Sequence, residues 1–183
     1  APGMAGAALL AGSAALHAGA GRIYVGLLGD ALSVDTAQPE LMLRAWDSLA
    51  LEEMAVACGC GGGDAVRAVL PRVLSAARDL VLDADALNAI ATDTQLQSQL
   101  QARGRRTRPT VITPHPLEAA RLLGKSAKDV QADRLAAAGE LAARFGCVVV
   151  LKGSGTVVAA VGEVPHVNPT GNATVKLTMS PFD

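Results

Sequence analysis

The chain has 183 residues and a formal net charge of −1; half of its residues are hydrophobic, but only 2% are aromatic. That length suits one domain with a sizeable core, and a core so short of aromatics must be built from Ala, Val, Leu and Gly packed closely in alternating α/β layers. Near-neutrality provides no field to draw the molecule to nucleic acid or to an anionic membrane, which leaves small molecules, or copies of itself in a homo-oligomer, as partners.

The Ala-rich start, residues 5–20 with a helix expected over 5–18, could be mistaken for a signal-peptide core. It has no basic flank and carries His17 and several glycines, so it reads as a buried helix. Residues 23–28, 54–58, 80–82, 110–112 and 148–151 read as short strands buried on both faces, as in a parallel sheet. Helices are expected at 64–77, 85–90 and 116–123. A longer one is expected over 128–144, where Val130, Leu135, Ala138, Leu141 and Ala142 form an apolar stripe. These repeated βα units favour a mostly parallel sheet with right-handed crossovers. After Thr156 the rhythm changes, and 157–161 and 164–167, joined by Gly162-Glu163, read as an antiparallel hairpin. No run of apolar residues is long enough to span a membrane. Cys58, Cys60 and Cys147 cannot all pair and include no CxxC or zinc-type spacing, which points to a reducing cytoplasm and no structural metal. Arg103, Arg105, Arg106 and Arg108 read as a solvated basic turn without the aromatics that would stack on nucleic acid, and Trp46 has no assignable role.

Ligands in open α/β sheets sit at the carboxyl ends of the strands, so the residues that follow each strand carry the functional reading. The richest segment is Val148-Val149-Val150-Leu151-Lys152-Gly153-Ser154-Gly155-Thr156, a strand running into a lysine and two glycines. It can bring backbone N–H groups and a cation to a phosphate, or it can be a Gly-rich hairpin turn with Lys152 merely solvated. After Cys58, the cluster Gly59-Cys60-Gly61-Gly62-Gly63-Asp64 opens a helix whose N–H groups could hold an anion; the alternative is a turn capped by Asp64. Asp83 stands at a strand end facing the cleft, while Asp85 reads as a helix cap. Thr113-Pro114-His115-Pro116 presents an imidazole between two prolines, and Glu118 follows in the first helical turn, where a carboxylate also complements the helix dipole. Asn168-Pro169-Thr170-Gly171-Asn172 is a turn rich in hydrogen-bonding side chains, with Asn168 and Gly171 as candidate ligand contacts.

In their joint order these segments resemble one family, the ADP- or ATP-dependent NAD(P)H-hydrate dehydratases of the ribokinase-like superfamily. The resemblance rests on Met4-Ala5-Gly6-Ala7-Ala8 with Ala18-Gly19-Ala20-Gly21, the cluster at 59–63, Val81-Leu82-Asp83-Ala84-Asp85-Ala86-Leu87-Asn88, Thr113-Pro114-His115-Pro116 with Glu118, Leu151 to Thr156, and Asn168 to Asn172. It implies a ribokinase-like fold. It further implies that Ala7, Gly61 and His115 contact hydrated NADH or NADPH, and that Lys152, Gly153, Ser154, Gly155 and Thr156 hold ADP or ATP, with Mg²⁺ as the cation. The implied reaction phosphorylates the hydroxyl of the damaged nicotinamide ring and then eliminates phosphate, a far better leaving group, restoring the reduced cofactor.

Two departures bear on these expectations. Cys60 and Gly62 stand where the family has Pro and Leu, which loosens the loop. The family also continues from Asn-Pro-Thr-Gly-Asn into Gly-Thr/Ser-Gly-Asp, whose aspartate is the expected base, whereas here the sequence runs Ala173 to Ser180, then Pro181-Phe182-Asp183. The catalytic role is not carried over to Asp183, and the catalytic residue is left unknown. The expectation is one ribokinase-like domain over residues 1–183 that the family extends at both ends, keeping both ligand sites but slow in turnover. A small-alcohol kinase and a non-catalytic nucleotide-binding module are the competing readings.

Overall fold

The computed structural model describes residues 4–29 and 32–170. In chain order these carry α1 (Ala5–His17), β1 (Tyr24–Gly26), β2 (Met42–Arg44), β3 (Ala55–Cys58), α2 (Val66–Ala76), β4 (Asp79–Leu82), α3 (Ala84–Ala91), α4 (Thr94–Arg105), β5 (Thr110–Ile112), α5 (Pro116–Leu123), α6 (Ala127–Ala132), α7 (Arg134–Phe145), β6 (Val148–Leu151), β7 (Val157–Ala159) and β8 (His166–Val167). Strands β3 to β8 form one sheet in sequential order. The first four are parallel and joined by helical crossovers, and the β6–β7 and β7–β8 pairs are antiparallel. β1 and β2 form a separate parallel pair. This is the mostly parallel, helix-flanked architecture with an antiparallel end that the sequence predicts. No helix among the described residues is long and apolar enough to cross a membrane.

The strands differ from expectation in how they are buried. Leu80, Leu82, Ile112, Val149, Leu151, Val157 and Ala159 join the core with residues of α2, α3, α4, α5 and α7. Val81 is 38% exposed, and Ala55 and Ala57 are exposed. Strand side chains alternate between faces, and among the described residues only one face of β3 and β4 carries the core, although the apolar runs read as buried on both. Helix α1 differs in the same way. It is apolar all round, yet Gly12 is its sole fully buried residue and Leu10 is 73% exposed. Gly12 is buried because its missing side chain lets the helix meet Val25 and Leu41; an added Cβ would lie 3.1 Å from Val25.

The helix expected over 128–144 is two helices. Asp133 ends α6 and caps α7, its Oδ1 accepting the Ala136 N–H at 2.9 Å, while Ser126 and Asp129 form a capping box for α6. The break resets the helical phase, so Leu135 faces solvent while Val130, Ala138, Leu141 and Ala142 are buried. Helix α4 escapes the sequence reading because its Gln-rich stretch buries only Leu96, Leu100 and Arg103. Trp46 packs against the core with the Arg72 guanidinium 5.5 Å from its ring centroid, and Arg72 also donates to Asp47 O and Leu49 O, each at 2.8 Å.

The basic run is not a solvated turn throughout. Arg103 is 2% exposed. Its Nη1 donates to Leu74 O (3.0 Å) and Ala77 O (2.8 Å), its Nη2 to Arg78 O (3.4 Å) and Pro109 O (3.3 Å), and its Nε to Thr110 Oγ1 (3.0 Å). One side chain thus closes the end of α2 and the entries to β4 and β5. Sequence composition hides this because Arg103 lies beside three arginines with ordinary surface surroundings. Arg103→Met retains length and apolar packing but orphans these carbonyl groups, and should lower the urea-unfolding free energy by at least about 3 kcal/mol. An unchanged midpoint would return Arg103 to the surface role that the sequence suggested.

Candidate functional site

The parallel register of β3 to β6 delivers four chain segments to one edge of the sheet: the glycine cluster, Asp83, Thr113 to His115 and the lysine loop. Lys152 lies among them. Its Nζ is 2.6 Å from Asp83 Oδ1 and 4.0 Å from Glu118 Oε2, and its backbone N–H donates to Pro114 O at 2.8 Å. The reading of Lys152 as merely solvated therefore fails, although the loop does connect antiparallel strands, as a hairpin turn would.

His115 is the N-cap of α5. Its Nδ1 accepts the N–H groups of Leu117 (3.1 Å) and Glu118 (3.3 Å), which puts the ring proton on Nε2, 3.2 Å from Glu118 Oε1. Glu118 Oε2 accepts the His115 N–H at 2.8 Å, completing the capping box. Pro116 at the first helical position fixes the approach. Glu118 is buried while the His115 side chain keeps 45% of its surface. The imidazole is thus held by its own helix but still faces outward, and the buried carboxylate joins it to Lys152.

The glycine cluster depends on close backbone approach. A Cβ on Gly59, whose φ is +122°, would stand 1.9 Å from Asp83 O, so only glycine lets β3 leave the sheet beneath the β4–α3 turn. A Cβ on Gly61 (φ +69°) would lie 3.0 Å from Ala7 Cβ, so the structure brings together two residues far apart in sequence that the resemblance assigned to one ligand. Asp85 does not cap α3: its Oδ2 accepts the Gly63 N–H at 2.7 Å, tying the cluster to α3, whose N-cap is Asp83. Asp64 does not cap α2 either, which starts at Val66 without a side-chain cap. Between the two aspartates Ala84 has φ +48°, a left-handed conformation that marks this turn as strained.

In the lysine loop Gly153 and Gly155 have φ of +142° and +64°, and Thr156 Oγ1 donates back to Gly153 O at 3.1 Å. Arg134, unremarked in the sequence, donates to Ser154 O (2.6 Å), Leu151 O (3.1 Å) and Lys152 O (3.2 Å). No sequence signal links α7 to a loop that β6 separates from it. Asn168 is adjacent, its N–H donating to Thr156 O at 2.8 Å, but its Oδ1 accepts from the N–H and Oγ1 of Thr170. Gly171 and Asp183 lie outside the described residues.

A family model described as NAD(P)H-hydrate dehydratase matches residues 2–177. The ADP-dependent (S)-NAD(P)H-hydrate dehydratase of Neisseria meningitidis is 44% identical over 179 residues, 93% of this chain and 59% of the relative. A bifunctional NAD(P)H-hydrate repair enzyme of Escherichia coli is 38% identical over 93% of this chain and 33% of its own. The crystal structure of the ADP/ATP-dependent NAD(P)H-hydrate dehydratase of Bacillus subtilis, co-crystallised with ATP and Mg²⁺, superposes with a TM-score of 0.73 at 31% identity, over 94% of this chain and 62% of that one. A ribokinase-like protein of Enterococcus faecalis shares the fold at 22% identity, with a TM-score of 0.68 over 92% of this chain and 60% of that one. The chain thus spans about three fifths of the length of the Neisseria relative.

Two thiols lie in and beside the glycine cluster. Burial pushes Cys58 up to about 12, with Cys60 adding to the shift; Cys60 is raised by burial and then by Asp83, against the opposing pull of Lys152. Burial also pushes Cys147 up to about 12. A raised pKa leaves less thiolate at any given pH, so these are poor nucleophiles. At about pH 8, iodoacetamide should alkylate Cys58 and Cys147 at least roughly 100-fold more slowly in the native chain than in denaturant. Equal rates, read by mass spectrometry, would show that the β3 end is open.

Proposed function

The chain belongs to the NAD(P)H-hydrate dehydratase family, and from that premise we propose that it takes part in restoring hydrated NADH or NADPH to the reduced cofactor with ADP or ATP as phosphoryl donor. The observation that carries this reading is the meeting of two kinds of segment at one sheet edge. On one side are Ala7, Gly61 and His115, proposed to contact the hydrated dinucleotide. On the other is the loop of Lys152, Gly153, Ser154, Gly155 and Thr156, proposed to hold the nucleotide phosphates. Lys152 and Glu118 join the two, through the 2.6 Å pair with Asp83 and the capping box of His115.

Hydroxide is a poor leaving group from the hydrated ring. Transfer of a phosphoryl group replaces the O–H bond of the ring hydroxyl with an O–P bond, releasing that proton, and breaks the bond to the nucleotide; elimination then breaks the C–O bond and the C–H bond of the neighbouring ring carbon, forms the ring C=C bond and releases phosphate and a proton. Little covalent work falls to the protein in such a reaction. Its residues hold the two reactants in register and offset phosphoryl charge with backbone N–H groups and Lys152. Asp83 holds the ammonium of Lys152 at the sheet edge until a phosphate competes for it. Mg²⁺ would neutralise phosphate charge. It prefers oxygen ligands and retains several waters, and the described residues gather no cluster of three or more His, Cys, Asp or Glu to cage an ion. The nucleotide phosphates are its proposed ligands. Free thiols at Cys58, Cys60 and Cys147 suit a reducing compartment, and the cytoplasm is the proposed location.

Calorimetry separates the two ligand sites. His115→Ala should weaken binding of hydrated NADPH by about tenfold and leave ADP within about twofold. Gly155→Val, placed at φ +64° with Val167 3.4 Å from the new Cβ, should do the reverse. Equal losses for both ligands in both variants would overturn the two-site assignment. Nucleotide-dependent recovery of reduced nicotinamide absorbance from the hydrate tests the activity itself.

A further inference from the structure

A loop that holds phosphate by backbone N–H groups has to turn those groups outward together, and glycine makes that conformation accessible without enforcing it. Resting on the reading of 152–156 as the nucleotide loop, we infer that Arg134 is its positioning residue. Arg134 opens α7, directly after the Asp133 break, and its half-buried guanidinium lies against the carbonyl side of the loop. Its Nη1 takes Ser154 O at 2.6 Å, and its Nη2 takes Leu151 O at 3.1 Å and Lys152 O at 3.2 Å.

In a planar trans peptide the N–H points opposite to the C=O of the same unit. Fixing the carbonyls of Lys152 and Ser154 on the guanidinium therefore aims the N–H groups of Gly153 and Gly155 away from it, toward the open side of the loop. The N–H of Lys152, in the third such peptide, is already taken by Pro114 O at 2.8 Å. One planar fork thus sets three peptide planes from two nitrogens, a fixed geometry that a lysine ammonium, one point with three rotatable donors, does not reproduce. The charge acts in the same direction. Among the described residues no carboxylate is in ion-pair range of Arg134, and its buried Nε has no hydrogen-bond partner. A full positive charge therefore stands directly behind the loop, where it favours a phosphate in front without touching it. Gly153 is part of the same fit: a Cβ there would come within 2.9 Å of Arg134 Nη2 and 3.2 Å of Cζ.

The test uses ADP and adenosine as paired probes, since a general loss of structure weakens both and a loss of loop alignment weakens only the phosphate-bearing one. Arg134→Ala should weaken ADP binding by about tenfold or more and change adenosine binding, read by competition, by less than about twofold. Arg134→Lys restores the charge without the fork and should recover part of the ADP affinity. Gly153→Ala should weaken ADP binding in the same selective way, since at φ +142° the new side chain strains the loop as well as crowding Arg134, and its effect should add little to that of Arg134→Ala, because both release the same peptide alignment. In amide spectra ADP should shift Gly153 and Gly155 in the wild type and leave them unshifted in Arg134→Ala. A folded Arg134→Ala protein with wild-type ADP affinity would overturn the inference. So would fully additive effects, and if Arg134→Ala does not fold, wild-type ADP affinity in Gly153→Ala overturns it instead. A wild-type chain that binds no ADP removes the loop reading itself, a different result from a wild-type chain that binds ADP and a variant that binds it equally.

Discussion

A parallel sheet must hand its backbone to loops at both ends, and the carbonyl groups released there need donors; in this fold arginines supply many of them. At the end where β4 and β5 begin, Arg103 collects Leu74, Ala77, Arg78 and Pro109 carbonyls. At the end where β6 leaves, Arg134 collects those of Leu151, Lys152 and Ser154. The two differ in what lies beyond them. Arg103 is buried, and what it meets are chain ends and the Thr110 hydroxyl. Arg134 has a glycine loop in front of it, and the same carbonyl capture that satisfies the backbone also decides which way the loop's N–H groups face.

Much of this was legible in advance, and the failures have a common cause. The strands at 80–82, 110–112 and 148–151, the helix at 116–123 and the hairpin after Thr156 follow from apolar runs, prolines and turn residues, which act locally. His115 and Lys152 likewise stand out as strand-end residues, and they meet through Glu118, a first-turn carboxylate that also reads as a complement to the helix dipole. What escaped was long-range and polar. Arg103, Arg134 and Asp85 bond to backbone groups that no local pattern associates with them, and α4 has so few apolar residues that its periodicity is faint. Asp85 is the most instructive case: an aspartate at the start of a helix is an ordinary cap by composition, yet its carboxylate turns to Gly63 because the glycine cluster approaches α3 closely enough to offer an N–H.

That approach is bought with strain. Gly59 passes under Asp83 at a distance no side chain would permit, and Ala84 takes a left-handed conformation that alanine seldom adopts. The two anomalies are neighbours across the same contact, so the turn that presents Asp83 to Lys152 is also the turn that makes room for β3. A substitution that relaxed Ala84 would move Asp83, and with it the one ion-pair partner that Lys152 has at 2.6 Å. Strain of this kind persists where surrounding structure over-determines it, and here the anchors are the Asp85–Gly63 hydrogen bond and the β3–β4 ladder.

The scarcity of aromatic residues gives the protein an unusual optical character. Trp46 is the only tryptophan, and the only tyrosine, Tyr24, lies in the small β1–β2 pair. Ultraviolet emission therefore originates in the β1–β2 pair and the turn that follows it. The indole has Arg72 of α2 over its face, and α2 begins just after the glycine cluster. Emission from this one indole thus follows the packing of α2 against it, the Arg72 cation included.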